Sequence, residues 1–598
     1  MPRAIPMQFL RRHQSAWLVA GAWLVFAVWA VVATAHGGGP QLVTDDAMRL
    51  VQVRDFLNGQ GWYDTTQHRM NTPFGLAMHW SRLIDAGIAG VYLLFRLVLN
   101  PAAAETATLY LWPLLPFLAL LAALYRTASV IGGRSAGVVV LLLALTCTGI
   151  WDDFSPGSLD HHNVQLALAA WMIAFLVESR GNPRAAVYAG LVAALSLAIG
   201  IEALPFVAVA AACMAAFWSW HGGAWKQQAR GFGGAFAAAG AGFLAVVATP
   251  YRFGVACDTY SGFYAALAVA GGAGLFATTH LPLQTRRGRA LFIAVLCLAL
   301  VALGAALNPA CLRGPYGEVD PRLVPIWLSR VYEAQSALGF ARIAASQFVF
   351  GYVYAVGGLL AAAVFLFVSR RAPAAAAMLC AFSTAGVAVA TWEFRAYTFP
   401  IVASLPCIAW LVASVFRHPR MRGLLGPLAG TLALLVSTDA AFAIVGGTFV
   451  ESAASLSSRI GDFNAQLGCA SPRAMHLLDH RPPGRVVAFV DQGPAVLAGT
   501  RNSVVAGPYH RNAAGILDDD TLFAGNPRAA AAVLRRRGID YVMVCRAAHD
   551  WTFYRRHAAP GALISQLASN APPVWLHLMA QDSTDRVALY AVDRAALP

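Results

Sequence analysis

Residues 155–165, SPGSLDHHNVQ, place a carboxylate and two imidazoles where one apolar stretch ends and the next begins. In extended backbone side chains alternate with a period of two, so Asp160 and His162 are expected on one side, with His161 pointing away. A carboxylate oxygen and an imidazole nitrogen so spaced make half a site for a divalent cation. The mixed oxygen and nitrogen donors suit Mn²⁺ or Mg²⁺ completed by ligands from elsewhere. The plainer alternative is that these residues hydrate a helix end. Other polar residues tilt the reading toward ligation. Asp45 and Asp46 adjoin in LVTDDAMRLVQVRDFLNGQGWYD, Glu333 stands in WLSRVYEAQSALGF, and Arg395 in TWEFRAYTFP sits at the end of an apolar run. An arginine in such a setting is expensive and commonly functional. Acidic ligands beside a buried arginine are the set that holds a metal and a phosphate together.

Membrane-spanning helices have to carry these residues. The 598-residue chain is 58% hydrophobic and 12% charged, with mean hydropathy +0.58, whereas soluble domains carry roughly a quarter charged residues. Apolar runs of spanning length recur from 15–35 to 426–447, about 13 in all. The first is too long for a signal peptide and lacks a cleavage pattern, so it reads as a retained helix. With the N-terminus inside, basic groups such as Arg126 and Arg134, Arg286, Arg287 and Arg289, and Arg417, Arg420 and Arg422 all fall in cytoplasmic loops. Alternate loops carry Asp45, Asp46, Asp152, Asp153, Glu202 and Asp258. This is the positive-inside pattern, so the net charge of +14 reports topology and gives no reason to expect a nucleic-acid partner. The run 83–100 would invert every later loop if it crossed, and is therefore laid along the outer interface.

The expected architecture is an α-helical polytopic domain over 1–449, with long outer loops at about 36–105 and 308–347, then a soluble α/β domain over 450–598 outside the membrane. In that last part GRVVAFVDQG, NSVVAG, IDYVMVC and RVALYAVD read as strands, and NPRAAAAVLRRRG as a helix. The nine cysteines show no CxxC spacing. Cys257 with Cys311, and Cys469 with Cys545, fall outside and either pair in an oxidising compartment or remain thiols.

On these motifs the sequence resembles the catalytic subunits of oligosaccharyltransferases, the archaeal AglB and bacterial PglB type, within the GT-C glycosyltransferases. Asp45 is followed nine and ten residues later by Arg54 and Asp55, as in some members, which favours Asp45 over the alternative Asp46. YDTTQHRMNTPFGLAMHWSRLIDAGIAG, the DHH of residues 160–162, YEAQSAL around Glu333 and Arg395 match the family's motifs in order. The resemblance implies a GT-C fold and a polyprenyl-linked sugar donor. It implies a divalent cation on Asp45, Asp160 and His162, Arg395 on the donor phosphate, and Asp45 and Glu333 acting on the acceptor. It implies a bacterial inner-membrane enzyme with its active site facing the periplasm.

The acceptor side departs from the pattern. FVDQG keeps Asp491 and Gly493 but loses both tryptophans of the family's Trp-Trp-Asp-Tyr-Gly motif. Asp491 and His510, the latter in AGPYHRNAAGILDD, are the candidate acceptor contacts, and a protein, lipid or glycan acceptor stays open. Two rival functions remain: a monosaccharide transferase acting on lipid A or surface polysaccharide, and a lipid-linked glycan transporter. A transporter would concentrate polar residues within broken helices at the midplane.

Overall fold

The computed structural model describes residues 14–247, 253–331, 334–369, 372–417, 425–450, 468–479, 481–582 and 586–597. The chain divides into two compact units. The first comprises residues 1–40, 80–318 and 332–451, and the second comprises 41–79, 319–331 and 452–598. The second unit thus takes in parts of both long outer loops along with the C-terminal region.

The first unit is helical. Its segments are Ala- and Leu-rich and apolar on all faces, as expected for helices solvated by lipid and by each other. Among the described residues seven are long and apolar enough to cross a membrane, or eight if the bent pair Gly426–Val436 and Asp439–Thr448 forms one span. Three more apolar helices, His162–Glu178, Pro183–Ile199 and Gly262–Thr278, have 17 residues each. Two of the long segments, Pro101–Thr146 and Ile201–Val246, run to 46 residues. The first cannot be continuous, because Gly133 has φ 72° and breaks it. Local chemistry sets the ends. Asn100 and Asn182 accept from the backbone of Ala103 and Arg184, each followed by a proline at the first helical position. The helix Arg82–Arg96 follows Ser81 as cap, and Gly87 lets it lie close against Trp112, where a Cβ would meet the indole. Cys257 and Cys311 form a disulfide within this unit.

The second unit is built on a mixed five-stranded sheet. A short hairpin, β1 (Thr66–Gln67) and β2 (Leu76–Ala77), precedes it in the chain. The sheet strands are β3 (Arg485–Val487), β4 (Ser503–Val504), β5 (Tyr541–Cys545), β6 (Leu576–Gln581) and β7 (Val587–Val592), in the order β4-β3-β5-β7-β6. β3 pairs in parallel with β4 and β5, whereas β5–β7 and β6–β7 are antiparallel. Helices including Ala513–Ala524, Pro527–Arg537 and His549–Arg556 accompany the sheet, and Val487, Phe489, Phe523, Leu534, Val542, Val544 and Tyr554 form a shared core. The helix 527–537 begins under Asn526 and ends at Gly538 in the left-handed conformation, φ 63°. Cys469 and Cys545 form the second disulfide.

The outer segments dock within this unit. Arg69 donates to the carbonyls of Leu497, Thr500 and Asn502, Arg54 to that of Ala498, and Arg537 to that of Thr72. Leu323 and Trp327 are buried against Val490, Ala506 and Ile516, and Arg330 pairs with Asp550 at 2.9 Å.

Candidate functional site

Asp160 is the residue around which the polar groups of the first unit gather. The loop 155–161 turns into the helix His162–Glu178, and His161, at φ −75° and ψ −9°, already has helical backbone. The extended-loop expectation for His161 is therefore corrected: with helical geometry the period of two does not apply, and His161 does not point away. Its Nδ1 lies 2.6 Å from Asp160 Oδ1, and its backbone N–H donates to the same oxygen at 2.7 Å. His162 Nε2 lies 2.9 Å from the other oxygen, Oδ2. Sequence reasoning put Asp160 and His162 together for the wrong local geometry, but the two side chains do meet.

Glu202 joins from the turn that follows the helix Pro183–Ile199. Its Oε2 is 3.5 Å from His161 Nε2 and accepts from Gln165 Nε2 at 3.2 Å. It had been read only as an outer acidic residue. It stands 42 positions from Asp160 in sequence, so no spacing rule reaches it. Gly200 makes the approach possible, since a Cβ there would run into Gln165 and Glu202. Arg395 lies on the turn Phe394–Tyr397, half-buried, and its charge acts on both His162 and Glu202.

The charges sort themselves by environment. Burial pushes the Asp160 carboxyl up, but the imidazoles beside it outweigh that and hold it well below the usual carboxylate range. Burial likewise pulls His161 down, yet Asp160 and Glu202 raise it to about 9. His161 thus occupies Asp160 Oδ1 and leaves Oδ2 facing His162.

This donor set fits a divalent cation. The ligand atoms of Asp160, His161 and His162 lie within 4.8 Å of one another. His162 Nε2 is buried and faces Asp160 Oδ2. Two neighbouring ligands of an octahedral ion at about 2.1 Å stand roughly 3.0 Å apart, close to the 2.9 Å between Asp160 Oδ2 and His162 Nε2.

Asp45, Asp46, Asp491 and His510 belong to the second unit. Asp45 and Asp46 occupy the first turn of the helix Thr44–Leu57 in the second unit; Asp46 is buried and Asp45 half-buried. Glu333 lies outside the described residues. Asp491 is exposed on the turn Val490–Gln492. The His510 ring lies tilted beside that of His79, ring centres 4.8 Å apart, and the adjacent Tyr509 hydroxyl donates to the carbonyl of Thr44 at 3.4 Å. Within the second unit the structure therefore brings the neighbour of His510 to the first turn of the helix Thr44–Leu57, which carries Asp45. Gly493 is fixed sterically, because a Cβ would collide with the Ala506 carbonyl oxygen.

No protein-family model and no curated protein sequence matches the chain. Solved structures do. The apo oligosaccharyltransferase of Archaeoglobus fulgidus superposes with a TM-score of 0.68 at 15% identity, covering 98% of this chain and 76% of that one. The same archaeal enzyme, AglB, in complex with an inhibitory peptide and a dolichol-phosphate gives 0.67, 15%, 98% and 75%. Its complex with zinc and sulfate gives 0.61, 14%, 96% and 74%. At these identities the likeness is one of fold: over nearly its whole length the chain has the fold of this archaeal enzyme.

Proposed function

We propose that the chain is a membrane glycosyltransferase that moves a sugar or oligosaccharide from a polyprenyl (di)phosphate donor to an acceptor on the periplasmic side of a bacterial inner membrane. The observation that carries the reading is the juxtaposition of Asp160 Oδ2 with the buried His162 Nε2 at 2.9 Å, in the field of Arg395. The archaeal neighbour has been captured with a lipid phosphate, and separately with zinc and sulfate. Carried to this chain, that pairing of metal and phosphate suits the Asp160, His162 and Arg395 grouping.

In this reading Asp160, His162 and Asp45 hold Mn²⁺ or Mg²⁺, with Asp46 the alternative to Asp45. The bound cation supplies neutralisation of the charge that develops on the leaving phosphate. Arg395 binds the same phosphate through charge-assisted hydrogen bonds. Asp45 and Glu333 orient the acceptor and take its proton as its nucleophilic atom bonds to the anomeric carbon and the sugar–phosphate bond breaks. Asp491 and His510 contact the acceptor. In this reading thirteen passes would put the second unit outside, with the break at Gly133 and the three 17-residue helices counted among the crossings. Two disulfides suit an oxidising compartment and a periplasmic α/β domain over 450–598.

The missing tryptophans leave the acceptor class wide, and a lipid or glycan hydroxyl fits as well as a peptide asparagine. The bent pair Gly426–Val436 and Asp439–Thr448 is the one feature that a transporter would share. Its buried Asp439 is, however, engaged by Gly149 and Thr148 of the same unit. The test is mass spectrometry of envelope lipids, glycans and proteins from cells carrying Asp160→Ala. The reading requires one sugar-bearing species to disappear while its polyprenyl-linked donor accumulates. Unchanged levels of both would refute it.

A further inference from the structure

Asp439 is the one carboxylate of the described first unit that is fully buried away from both the Asp160 group and the Arg82–Asp85 pair. Burying an ionisable side chain within apolar helices is costly, so its contacts need an account. It begins the second limb of the helix pair bent by 64°. Its Oδ2 accepts from the backbone N–H of Gly149 at 2.7 Å and from the Thr148 hydroxyl at 2.9 Å, while Oδ1 is buried without a hydrogen-bond partner. From the other side the Tyr397 hydroxyl donates to the carbonyl of Gly149 at 3.0 Å. Both backbone groups of one glycine are thereby gripped. The fit is close: a Cβ on Gly149 would stand 3.3 Å from the Tyr397 ring and 3.5 Å from Asp439 Oδ2.

These two grips join the halves of the candidate site. Tyr397 shares the turn Phe394–Tyr397 with Arg395. Gly149 lies in the turn Thr148–Ile150, from which the chain runs through Trp151–Phe154 into the loop bearing Asp160. The bend apex is itself anchored, because the Tyr354 hydroxyl donates to the carbonyl of Ser437 at 2.9 Å. We propose that Asp439 is a positioning residue of the donor site: by holding the Thr148–Gly149 turn it seats Tyr397, and through it Arg395, at the correct distance from the Asp160–His162 pair. The inference rests on the reading of Arg395 as a phosphate contact.

The position of Arg395 bears on the lipid phosphate, whereas Asp160 Oδ1 is fixed locally by His161. Loss of the grip therefore separates two affinities. The experiment measures undecaprenyl phosphate binding by native mass spectrometry and Mn²⁺ binding by electron paramagnetic resonance, on the full chain in detergent. Asp439→Ala is expected to weaken undecaprenyl phosphate about tenfold and to leave Mn²⁺ affinity within twofold. Asp439→Asn, which keeps an acceptor for the Gly149 N–H, is expected to recover most of the lipid affinity. Tyr397→Phe, a milder change that serves if Asp439→Ala fails to fold, is expected to weaken lipid binding several-fold. Wild-type lipid affinity in both Asp439→Ala and Tyr397→Phe would overturn the inference, and so would equal loss of lipid and metal. The underlying donor reading fails differently: Arg395→Ala would then bind undecaprenyl phosphate as the wild type does.

Discussion

Arg330→Ala removes the guanidinium paired with the buried Asp550 carboxylate and should loosen one outer segment in a pH-dependent way. Arg330 Nη1 donates to Asp550 Oδ1 at 2.9 Å, with the two side chains 25% and 7% exposed. The guanidinium also stands 3.5 Å from the centre of the Phe553 ring. Breaking a buried pair from one side costs about 3–5 kcal/mol. The lower figure applies here, since Arg330 keeps part of its side chain in solvent and Asp550 has an escape by taking a proton. About 3 kcal/mol is roughly a 150-fold shift in the local opening of Val319–Val331, because each 1.4 kcal/mol is tenfold. Burial already raises the Asp550 carboxyl above its ordinary value despite Arg330. Removing Arg330 raises it further. A folded-state carboxyl raised above its unfolded value makes stability fall as pH rises from the ordinary carboxylate range through the raised value, so the variant loses more at pH 8 than at pH 4. The assay is amide hydrogen exchange by mass spectrometry on the full chain, following 319–331 at both pH values with intrinsic rates corrected. Adding Asp550→Asn to Arg330→Ala should restore much of the protection at pH 8. Unchanged protection in Arg330→Ala, or an equal loss at both pH values, would refute the reasoning.

Gly493→Ala should lower the thermal midpoint of the chain by several degrees, from overpacking of about 1–3 kcal/mol against the Ala506 carbonyl. Gly223→Ala, where a Cβ meets nothing within 4 Å, is the control, and equal midpoints for the two would contradict the account. Removing the Cys469–Cys545 disulfide, which spans 76 residues, should destabilise the second unit by about 4 kcal/mol on chain-entropy grounds. Thermal unfolding of the oxidised protein against Cys469→Ser/Cys545→Ser checks this, and identical curves would count against it.

Legibility in the sequence followed the range of the interactions. The strands Arg485–Val487, Ser503–Val504, Tyr541–Cys545 and Val587–Val592 fall within runs rich in β-branched residues, and the helix 527–537 has its Asn-Pro start and Gly stop. Leu576–Gln581, LHLMAQ, has no β-branched residue and was not foreseen; its pairing with β7 supplies what propensity does not. Asp160, His162 and Arg395 were legible because ionisable groups at apolar boundaries are few. His161 was misplaced because the helix takes in its backbone one residue before the expected loop ends. Glu202, Tyr397 and Asp439 reach their partners across 41, 248 and 290 residues, and no local pattern encodes those meetings. Cys257–Cys311 and Cys469–Cys545 were open between pairing and free thiols, and the fold pairs both. Window hydropathy suggested about 13 spans, whereas single long apolar helices number seven. The difference arises where helices are short, bent or broken, as at Gly133.

The central claim is that Asp160 and His162 share one cation. Pulsed electron paramagnetic resonance of the full chain loaded with Mn²⁺ tests it most directly. The account predicts one bound ion with nitrogen coupling from a single imidazole, the coupling vanishing in His162→Gln and the ion itself in Asp160→Ala. Failure to bind Mn²⁺, or nitrogen coupling that persists in His162→Gln, would contradict it.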